Sequence, residues 1–452
     1  MTTSANPYRG KSIVVLGLGR SGIAAARLLL HRGARVTVCD SGESSAVMER
    51  AELLRSEGAT VLTGESAVRD AAHYDLGILS PGIEETTALV SNVTAKGIPL
   101  IGELEMAFGF CNSPVVAITG SNGKTTTTEL TSLMLEAAGL HNAACGNIGT
   151  PMSELMVTSE AWDVLVTEVS SFQLETIRTF RPKVAVWLNL SPNHLDRYPS
   201  MQEYREAKLR LFENQTGEDW AVVPYGEELP ALRARTISFS VTDPAADLTL
   251  RGTEILYRGG LLLDLAATKL RGPHNAANLM AAFGCGIALG ADLSRMAAAV
   301  GEYTPPPHRC EFIAETGGVR WINDSKATNL DAMGKAISSV PGSLILIAGG
   351  KDKGFEFAPI APLVRERVSL AILIGEMRHR IARDWTPVAC LPVESLEEAI
   401  ALAASHATPG TTVLFSPGTS SYDMFTNYIE RGESFRRCVQ KLSEKPPLTS
   451  IH

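Results

Sequence analysis

The segment at residues 117–126, AITGSNGKTT, constrains the fold more than any other part of this sequence. A run of β-branched and small apolar residues leads into a turn with two glycines, and a lysine and four consecutive threonines then begin a helical stretch. Gly120 and Gly123 let the backbone curl so that successive N–H groups point at an anion. Lys124 can neutralise phosphate charge, and the Thr125 hydroxyl can hold a phosphate-bound Mg²⁺. The pattern predicts a phosphate loop between a strand and a helix, shortened because Ile118 stands where the general P-loop has its first glycine.

A second glycine-rich turn lies near the N-terminus, at Gly17-Leu-Gly-Arg-Ser-Gly22. It follows a strand pattern and opens a helix pattern, and Asp40 ends the next strand pattern, as in the GxGxxG dinucleotide fingerprint. Taken alone, it indicates NAD, with the pyrophosphate at the helix N-terminus and Asp40 on a ribose hydroxyl. Any nucleoside diphosphate presents the same groups, and close packing of strand on helix without a ligand is a third explanation.

Length and composition restrict the class of protein. A chain of 452 residues is too long for one ordinary core, so about three domains are expected. The 45% hydrophobic and 20% charged residues are typical of a soluble globular protein, and a net charge of −8 without a dense basic run argues against a nucleic-acid partner. The first residues, MTTSANPYRGKS, lack the apolar core of a secretory signal, so we do not expect export, and no apolar run approaches the ~18 residues of a membrane span. Seven scattered cysteines without a CxxC pair suit reduced thiols, so we expect a cytoplasmic protein without a zinc site.

Strand patterns alternate with helix patterns over most of the chain, which predicts an α/β fold built on parallel sheets. We expect three domains. These are a Rossmann-like N-terminal domain at 1–102, a central P-loop-type ATPase domain with a parallel sheet at 103–305, and a Rossmann-like C-terminal domain at 306–452. Three consecutive prolines, Pro305–Pro307, form a stiff linker at the second boundary.

Polar residues at three further points of the central segment are candidates for the same site. Glu168 ends an apolar strand pattern, where a Mg²⁺ ligand or merely a helix-capping or surface glutamate can stand. His194 and Asp196 follow the next strand pattern. Lys208 falls on the apolar face of a predicted helix, where a lysine usually extends its ammonium to water; a lysine held near metals and carbamylated is the alternative.

In order along the whole chain, these motifs resemble those of the Mur ligases, the ATP-dependent amino-acid ligases that build the stem peptide of peptidoglycan. The motifs that carry the resemblance are GLGRSG, SPGI at Ser80–Ile83, TGSNGKTT, GNIG at Gly146–Gly149, EVSSFQLE, HLDRY, HNAAN, HRCE, NDSKATN and the final SP…SSYDMF…ERG. The resemblance implies that ATP phosphorylates a carboxylate to an acyl phosphate, which an amine then attacks. The implied substrates are UDP-N-acetylmuramoyl-L-alanine and D-glutamate, with two Mg²⁺ ions, no NAD and a monomeric chain.

The resemblance also assigns residues. It places ATP on the phosphate loop and on three later polar residues: Gly120, Ser121, Asn122, Gly123, Lys124, Thr125, Thr126, Asn278, Arg309 and Asp324. It places the UDP substrate on Gly19, Arg20, Ser21, Asp40, Gly82, Asn147 and Gln173. It places the amino acid on Thr328, Lys353, Ser421 and Tyr428, the last standing where the family pattern has Phe. It makes Lys124, Glu168, His194, Lys208 and Lys326 catalytic, with the metals on Thr125, Glu168, His194 and a carbamylated Lys208.

Other functions stay open at this point. The same ligase chemistry could use L-glutamate or another amino acid. The related folylpolyglutamate synthases are an alternative in the same reaction class, but they are not expected to carry this N-terminal fingerprint domain. An NAD-dependent oxidoreductase would explain Gly17–Gly22 and Asp40 but leaves TGSNGKTT and NDSKATN without a role. A non-catalytic ATP-driven switch would turn ATP over without a carboxylate and an amine.

Overall fold

The computed structural model describes residues 6–84, 86–147, 149–158, 160–194 and 197–444. By the density of contacts, the chain divides into two compact units. The first comprises Met1–Leu188, Arg205–Asp264 and Ala277–Gly301, and the second comprises Asn189–Tyr204, Leu265–Ala276 and Glu302–His452.

A five-stranded parallel sheet is built from the first hundred residues, in the order β3-β2-β1-β4-β5. Its strands are β1 Ser12–Leu16, β2 Arg35–Asp40, β3 Thr60–Thr63, β4 Leu76–Leu79 and β5 Leu100–Gly102. The helices between and after them are α1 Arg20–His31, α2 Ser45–Ser56, α3 Gly64–Val68, α4 Ala88–Ala95 and α5 Glu103–Phe108. The buried strands are short, nearly continuous apolar runs because helices cover both faces of a parallel sheet.

A nine-stranded sheet carries the phosphate loop, in the order β14-β13-β12-β11-β10-β9-β6-β8-β7. Its strands are β6 Val115–Thr119, β7 Asn142–Gly146, β8 Val164–Glu168, β9 Val184–Trp187, β10 Trp220–Pro224, β11 Arg235–Ser240, β12 Leu248–Arg251, β13 Glu254–Tyr257 and β14 Gly260–Asp264. The helices along this segment are α6 Lys124–Ala137, α7 Met152–Leu155, α8 Ser171–Glu175, α9 Met201–Leu209, α10 Pro273–Leu289 and α11 Leu293–Val300. Strands β8, β6 and β9 are adjacent and parallel, so their carboxyl ends meet at one edge of the sheet.

The second unit contains a six-stranded sheet, in the order β15-β16-β20-β17-β18-β19. Its strands are β15 Glu311–Thr316, β16 Val319–Asn323, β17 Leu344–Gly349, β18 Val368–Ile374, β19 Cys390–Pro392 and β20 Thr412–Phe415. Its helices are α12 Leu330–Ser339, α13 Ala361–Arg367, α14 Arg378–Asp384, α15 Leu396–His406 and α16 Tyr428–Glu444. The predicted α/β class is confirmed, with mainly parallel sheets; the boundaries at 102 and 305 stay predictions.

Candidate active site

The phosphate loop joins β6 to α6 with the geometry that the sequence predicts. Gly123 has a φ of +88°, and a Cβ built there would lie 2.4 Å from Oδ1 of Asn278, so a side chain at this position would be strained and crowded. The ammonium of Lys124 turns back over the loop and donates hydrogen bonds to the carbonyls of Gly120 at 2.8 Å and Ser121 at 2.9 Å. The loop therefore carries a cation beside the positive, N-terminal end of α6, an arrangement that suits an anion.

Glu168 ends β8 with a carboxylate that is only 3% exposed. Its Oε1 accepts a hydrogen bond from Nδ2 of Asn147 at 2.9 Å, and its carbonyl accepts one from the N–H of Asn147 at 2.8 Å. Its Oε2 is buried and has no hydrogen-bond partner among the described residues. Burying a carboxylate oxygen without a hydrogen-bond donor costs free energy unless a cation binds it. This oxygen is therefore well suited to be a metal ligand. Asn147, assigned to the substrate by resemblance, thus holds the Glu168 side chain in this structure.

Lys208 is 1% exposed, so the expectation that its ammonium extends to water is wrong. Its Nζ donates hydrogen bonds to the carbonyl of Gly120 at 3.0 Å and to Oγ1 of Thr119 at 3.4 Å. Burial, together with the charge of Lys124, lowers the pKa of Lys208 well below its usual value, and Glu168 opposes this only in part. The side chain therefore lies under the phosphate loop, and its amine loses its proton more easily than that of an ordinary lysine. The neutral amine is the form that reacts with CO₂.

The residues of this edge fit a Mg²⁺ ion that also binds phosphate. Mg²⁺ keeps several waters and takes one or two protein carboxylates, with phosphate oxygens completing its shell. Two carboxylate ligands are available here, Oε2 of Glu168 and a carboxylated Lys208. The hydroxyl of Thr125, on the first turn of α6, adds a third oxygen ligand. Within the described part of the chain, no group of three or more His, Cys, Asp or Glu side chains is placed to hold a metal by itself. Asp196 lies outside the described residues.

The glycine-rich turn of the first sheet is closed by Asp40. Its Oδ2 accepts a hydrogen bond from the N–H of Leu18 and its Oδ1 accepts one from the N–H of Gly42, both at 2.7 Å. A Cβ at Gly22 would lie 1.9 Å from the carbonyl oxygen of Gly17, so α1 can approach β1 this closely only without a side chain. Asp40 thus shapes the turn directly, and the predicted contacts at Gly19, Arg20 and Ser21 lie where α1 begins.

The other two residues assigned to the UDP substrate have different surroundings. Gln173 is buried on α8 and forms a capping box with Ser170, whose N–H donates to its Oε1 at 3.0 Å. Gly82 follows β4, after Ser80, whose buried Oγ has no hydrogen-bond partner in the described structure. Ser80 lies against the glycine-rich turn, because a Cβ at Gly17 would be 3.1 Å from its Oγ.

In the second unit, Asp324 is a buried carboxyl group where β16 and β20 end. Its Oδ2 accepts a hydrogen bond from Oγ of Ser416 at 2.7 Å, and its Oδ1 accepts one from the N–H of Cys310 at 3.2 Å. Burial raises the pKa of Asp324 to about 7, although Ser416, Cys310 and the charge of Arg309 act in the opposite direction. Arg309 and Asp324, both assigned to ATP by resemblance, are therefore electrostatic neighbours.

Lys326 and Tyr428 are in direct contact in the second unit. The ammonium of Lys326 donates a hydrogen bond to the Tyr428 hydroxyl at 3.0 Å and lies 4.7 Å from the centre of its ring. Arg431, 1% exposed, donates from Nε to Oγ of Ser325 at 3.1 Å and from Nη2 to the carbonyl of Ser325 at 2.8 Å. Sequence reasoning missed this role of Arg431; its only signal was a charged residue in the quoted ERG motif.

Asn193 is a second residue that sequence reasoning left without a role. Its Oδ1 accepts hydrogen bonds from the N–H of His194 at 3.0 Å and from Nζ of Lys353 at 3.3 Å. His194 itself has a left-handed backbone with a φ of +57°, so Asn193 fixes an unusual turn. Ser421, buried, and Thr328 lie in the same unit as Lys353. The structure thus gathers the phosphate loop, Glu168, Lys208 and Asn278 in the first unit, and the residues of the amino-acid set in the second.

Comparison with protein families gives three matches in chain order. A Mur ligase MurD-like N-terminal domain matches residues 11–102, a Mur ligase middle domain matches 118–286, and a Mur ligase glutamate ligase domain matches 308–418. Curated relatives named UDP-N-acetylmuramoylalanine--D-glutamate ligase are similar over nearly the full length. The one from Geotalea uraniireducens is 43% identical, with 96% of this chain and 98% of the relative covered. The one from Geobacter metallireducens is 41% identical, with 97% and 99% covered.

Solved structures show the same fold at low identity. A UDP-N-acetylmuramate-alanine ligase, MurC, from Thermotoga maritima has a TM-score of 0.63 at 18% identity and covers 96% of this chain and 100% of its own. A MurF ligase from the same organism, in complex with ADP, has a TM-score of 0.62 at 16% identity, with 96% of each chain covered. None of the helices in the described ranges is long and apolar enough to span a membrane.

Proposed function

The chain belongs to the Mur ligase family, and from that premise we propose how its residues ligate D-glutamate to UDP-N-acetylmuramoyl-L-alanine in peptidoglycan precursor synthesis. It is an ATP-dependent ligase that forms an amide bond. The observation that carries the mechanism is the cluster at the carboxyl edge of the second sheet, in which Lys124, Glu168 and the buried Lys208 surround one loop.

The first step transfers a phosphoryl group. A carboxylate oxygen of the muramoyl-alanine attacks the γ-phosphorus of ATP, the bond to the bridging oxygen breaks, and ADP leaves with an acyl phosphate formed. In this step Lys124 holds the phosphates over the loop, and the role of Asn278 as an ATP contact is supported by its place next to Gly123. Mg²⁺, when bound, neutralises charge that spreads over the transferring oxygens.

Lys208 serves this step as a carbamate. The neutral amine attacks CO₂, an N–C bond forms, one N–H proton leaves, and an anionic group remains under the phosphate loop. The lowered pKa of Lys208 favours this reaction because the lone pair is available near neutral pH. The product adds a carboxylate-like donor beside Glu168, whose Oε2 has no donor of its own among the described residues.

The second step joins the amino acid. The glutamate amine attacks the acyl carbon, an N–C bond forms, and the tetrahedral intermediate expels phosphate and loses an amine proton. Glutamate carries two carboxylates, and Lys326 and Lys353 supply two cations in the second unit. Thr328, Ser421 and Tyr428 complete the amino-acid set, with Tyr428 already bonded to Lys326.

The cysteines indicate the cellular compartment of the enzyme. All seven are free, which fits the reducing cytoplasm, where we place the protein. The monomeric state stays a prediction that sedimentation would test.

Phosphate release from ATP tests the function directly. The enzyme, Mg²⁺ and UDP-N-acetylmuramoyl-L-alanine are combined with D-glutamate or L-glutamate, and each substrate is omitted in turn. Release that needs both the UDP substrate and D-glutamate supports the proposal. A preference for L-glutamate would change the product, and release with ATP alone would indicate a switch instead of a ligase.

A further inference from the structure

The segment between the first and second sheets carries a buried carboxylate to which no role has been given above. Strand β5 runs directly into α5, from which Glu105 projects; the side chain is mostly buried, with the residue 7% exposed. One oxygen of Glu105 accepts hydrogen bonds from the N–H of Thr179 at 2.8 Å and its hydroxyl at 2.6 Å. The other accepts from the N–H groups of Arg178 at 2.9 Å and Phe180 at 3.0 Å. Four donors from three consecutive residues thus meet on one side chain.

The same segment is held to the end of the first sheet by two more contacts. Nη2 of Arg178 donates a hydrogen bond to the carbonyl of Leu100, on β5, at 2.9 Å. A Cβ built at Gly102 would lie 2.1 Å from Oγ1 of Thr176, so the Thr176 side chain packs directly on the backbone of Gly102, where any larger residue would collide with it. Residues 176–180 are therefore fastened to the first sheet, and Glu105 provides most of the hydrogen bonds that fasten them.

Residues 176–180 are attached to the second sheet by their place in the chain, in the connection between β8 and β9. They follow α8, which carries Gln173 and begins three residues after Glu168, and they precede β9. The glycine-rich turn closed by Asp40 follows β1, at the same carboxyl edge of the first sheet at which β5 runs into α5. Glu105 consequently links the sheet that carries the glycine-rich turn to the sheet that carries the phosphate loop.

We propose that Glu105 is a positioning residue, which fixes the spacing between the glycine-rich turn and the phosphate loop so that one extended substrate reaches both. This inference rests on the proposed function, because only a UDP-linked sugar acid has to span the two sheets. In the proposed function ATP binds on the second sheet and the UDP group on the first, so neither ligand by itself depends on the spacing. A loosened joint reduces the fraction of molecules in which the spacing is correct, and the apparent affinity for the spanning substrate falls by the same fraction.

Glu105→Gln tests the proposal at nearly constant volume. The carboxylate accepts all four hydrogen bonds, whereas the amide of glutamine has one accepting oxygen and an NH₂ group that faces other donors. At least one backbone N–H among residues 178–180 then loses its partner, which weakens the joint without removing side-chain packing.

The measurements separate the spanning substrate from its parts. For Glu105→Gln we expect kcat/KM for UDP-N-acetylmuramoyl-L-alanine to fall severalfold, with about tenfold as the upper value that applies when the whole cost of one unpaired buried donor lowers the correctly spaced fraction. The Kd of UDP, the Kd of a non-hydrolysable ATP analogue and the KM of glutamate should stay within about twofold of the wild type, since each contacts one side of the joint.

Two variants calibrate the result. Thr179→Val removes only the hydroxyl contact and leaves the three backbone bonds, so its effect on kcat/KM should be smaller than that of Glu105→Gln. Glu49→Gln, at an exposed position on α2, should behave as the wild type.

Three outcomes would overturn the inference. One is an unchanged kcat/KM for the spanning substrate in Glu105→Gln. Another is a parallel loss of affinity for UDP and for the ATP analogue, which would indicate general misfolding instead of a lost spacing. If the wild type itself turns over no UDP-N-acetylmuramoyl-L-alanine, the proposed function fails first, and this inference fails with it.

Discussion

Replacing Lys208 with methionine should separate the stability of this enzyme from its activity. Methionine keeps a flexible apolar stem in the space under the phosphate loop but carries no amine, so no carbamate can form. The substitution therefore removes the proposed anionic group and leaves the packing of α9 nearly intact.

The expected change in stability is small because two effects oppose each other. The amine loses hydrogen bonds to Gly120 at 3.0 Å and Thr119 at 3.4 Å, together about 1–2 kcal/mol. Thr119 keeps a partner, because its hydroxyl donates to the carbonyl of Val169 at 2.9 Å. Burying an amine costs a similar amount of desolvation energy, which methionine does not incur. We expect the free energy of unfolding to change by less than about 1 kcal/mol, while kcat falls by at least ~100-fold.

The lowered pKa of Lys208 adds a pH dependence with a definite sign. The unfolded chain holds a proton on this lysine up to its usual pKa of 10.5, whereas the folded chain releases it at lower pH. The stability contributed by this group therefore increases as the pH rises towards the unfolded value. Lys208→Met removes the term, so the variant should gain stability relative to the wild type as the pH is lowered.

The assay is phosphate release at saturating substrates, with Lys208→Ala as a matched variant. Alanine leaves space for a short carboxylate such as formate or acetate, so these anions should restore part of the activity of Lys208→Ala and none of that of Lys208→Met. The reasoning is refuted if Lys208→Met keeps a third or more of the wild-type rate. Equal stimulation of both variants would mean a general salt effect, and the absence of any rescue would remove the support for a carbamate.

Three further predictions concern the phosphate loop and the second unit. Lys124→Ala should abolish acyl phosphate formation, measured by trapping with hydroxylamine; full activity would refute its phosphate role. As the pH rises from 4 to 7, Asp324→Asn should gain stability relative to the wild type, by at most roughly 4 kcal/mol, because the folded pKa of about 7 lies above the unfolded one and the wild type loses stability over this range. A difference in the free energy of urea unfolding that stays constant over this pH range contradicts this. Tyr428→Phe should raise the KM for glutamate about threefold to tenfold, since Lys326 loses a hydrogen bond, with the KM for ATP unchanged; equal changes in both would refute a glutamate-specific role.

Local sequence patterns predicted the alternation of strands and helices and much of the cluster around the phosphate loop. Gly120, Gly123 and Lys124 are adjacent in the chain, and a turn of that composition between a strand and a helix has few conformations to choose from. Glu168 was placed correctly at a strand end because a buried parallel strand is a recognisable apolar run, and its end is marked by the first polar residue. Strands β1 and β20 are short buried apolar runs of the same recognisable kind.

The state of individual polar side chains was decided by residues far away in the sequence. Glu105 receives its hydrogen bonds from residues 178–180, and its pattern on α5 is that of an ordinary acidic first turn. Asp324 is hydrogen-bonded to Ser416, which follows β20, and Glu168 is hydrogen-bonded to Asn147, which follows β7. Arg431 is buried against Ser325, and the helical periodicity of α16 does not predict this contact.

By itself, the sequence determined the α/β class, the phosphate loop, the glycine-rich turn and, through motifs in order, the family. Those features depend on backbone geometry and on residues close together in the chain. The tertiary structure decided that the amine of Lys208 is buried and readily neutral, that Oε2 of Glu168 is without a hydrogen-bond partner in the described structure, and that Glu105 holds the joint between two sheets. A long polar side chain can reach water or turn inward, and only the packing of distant elements around it fixes which of the two has the lower free energy.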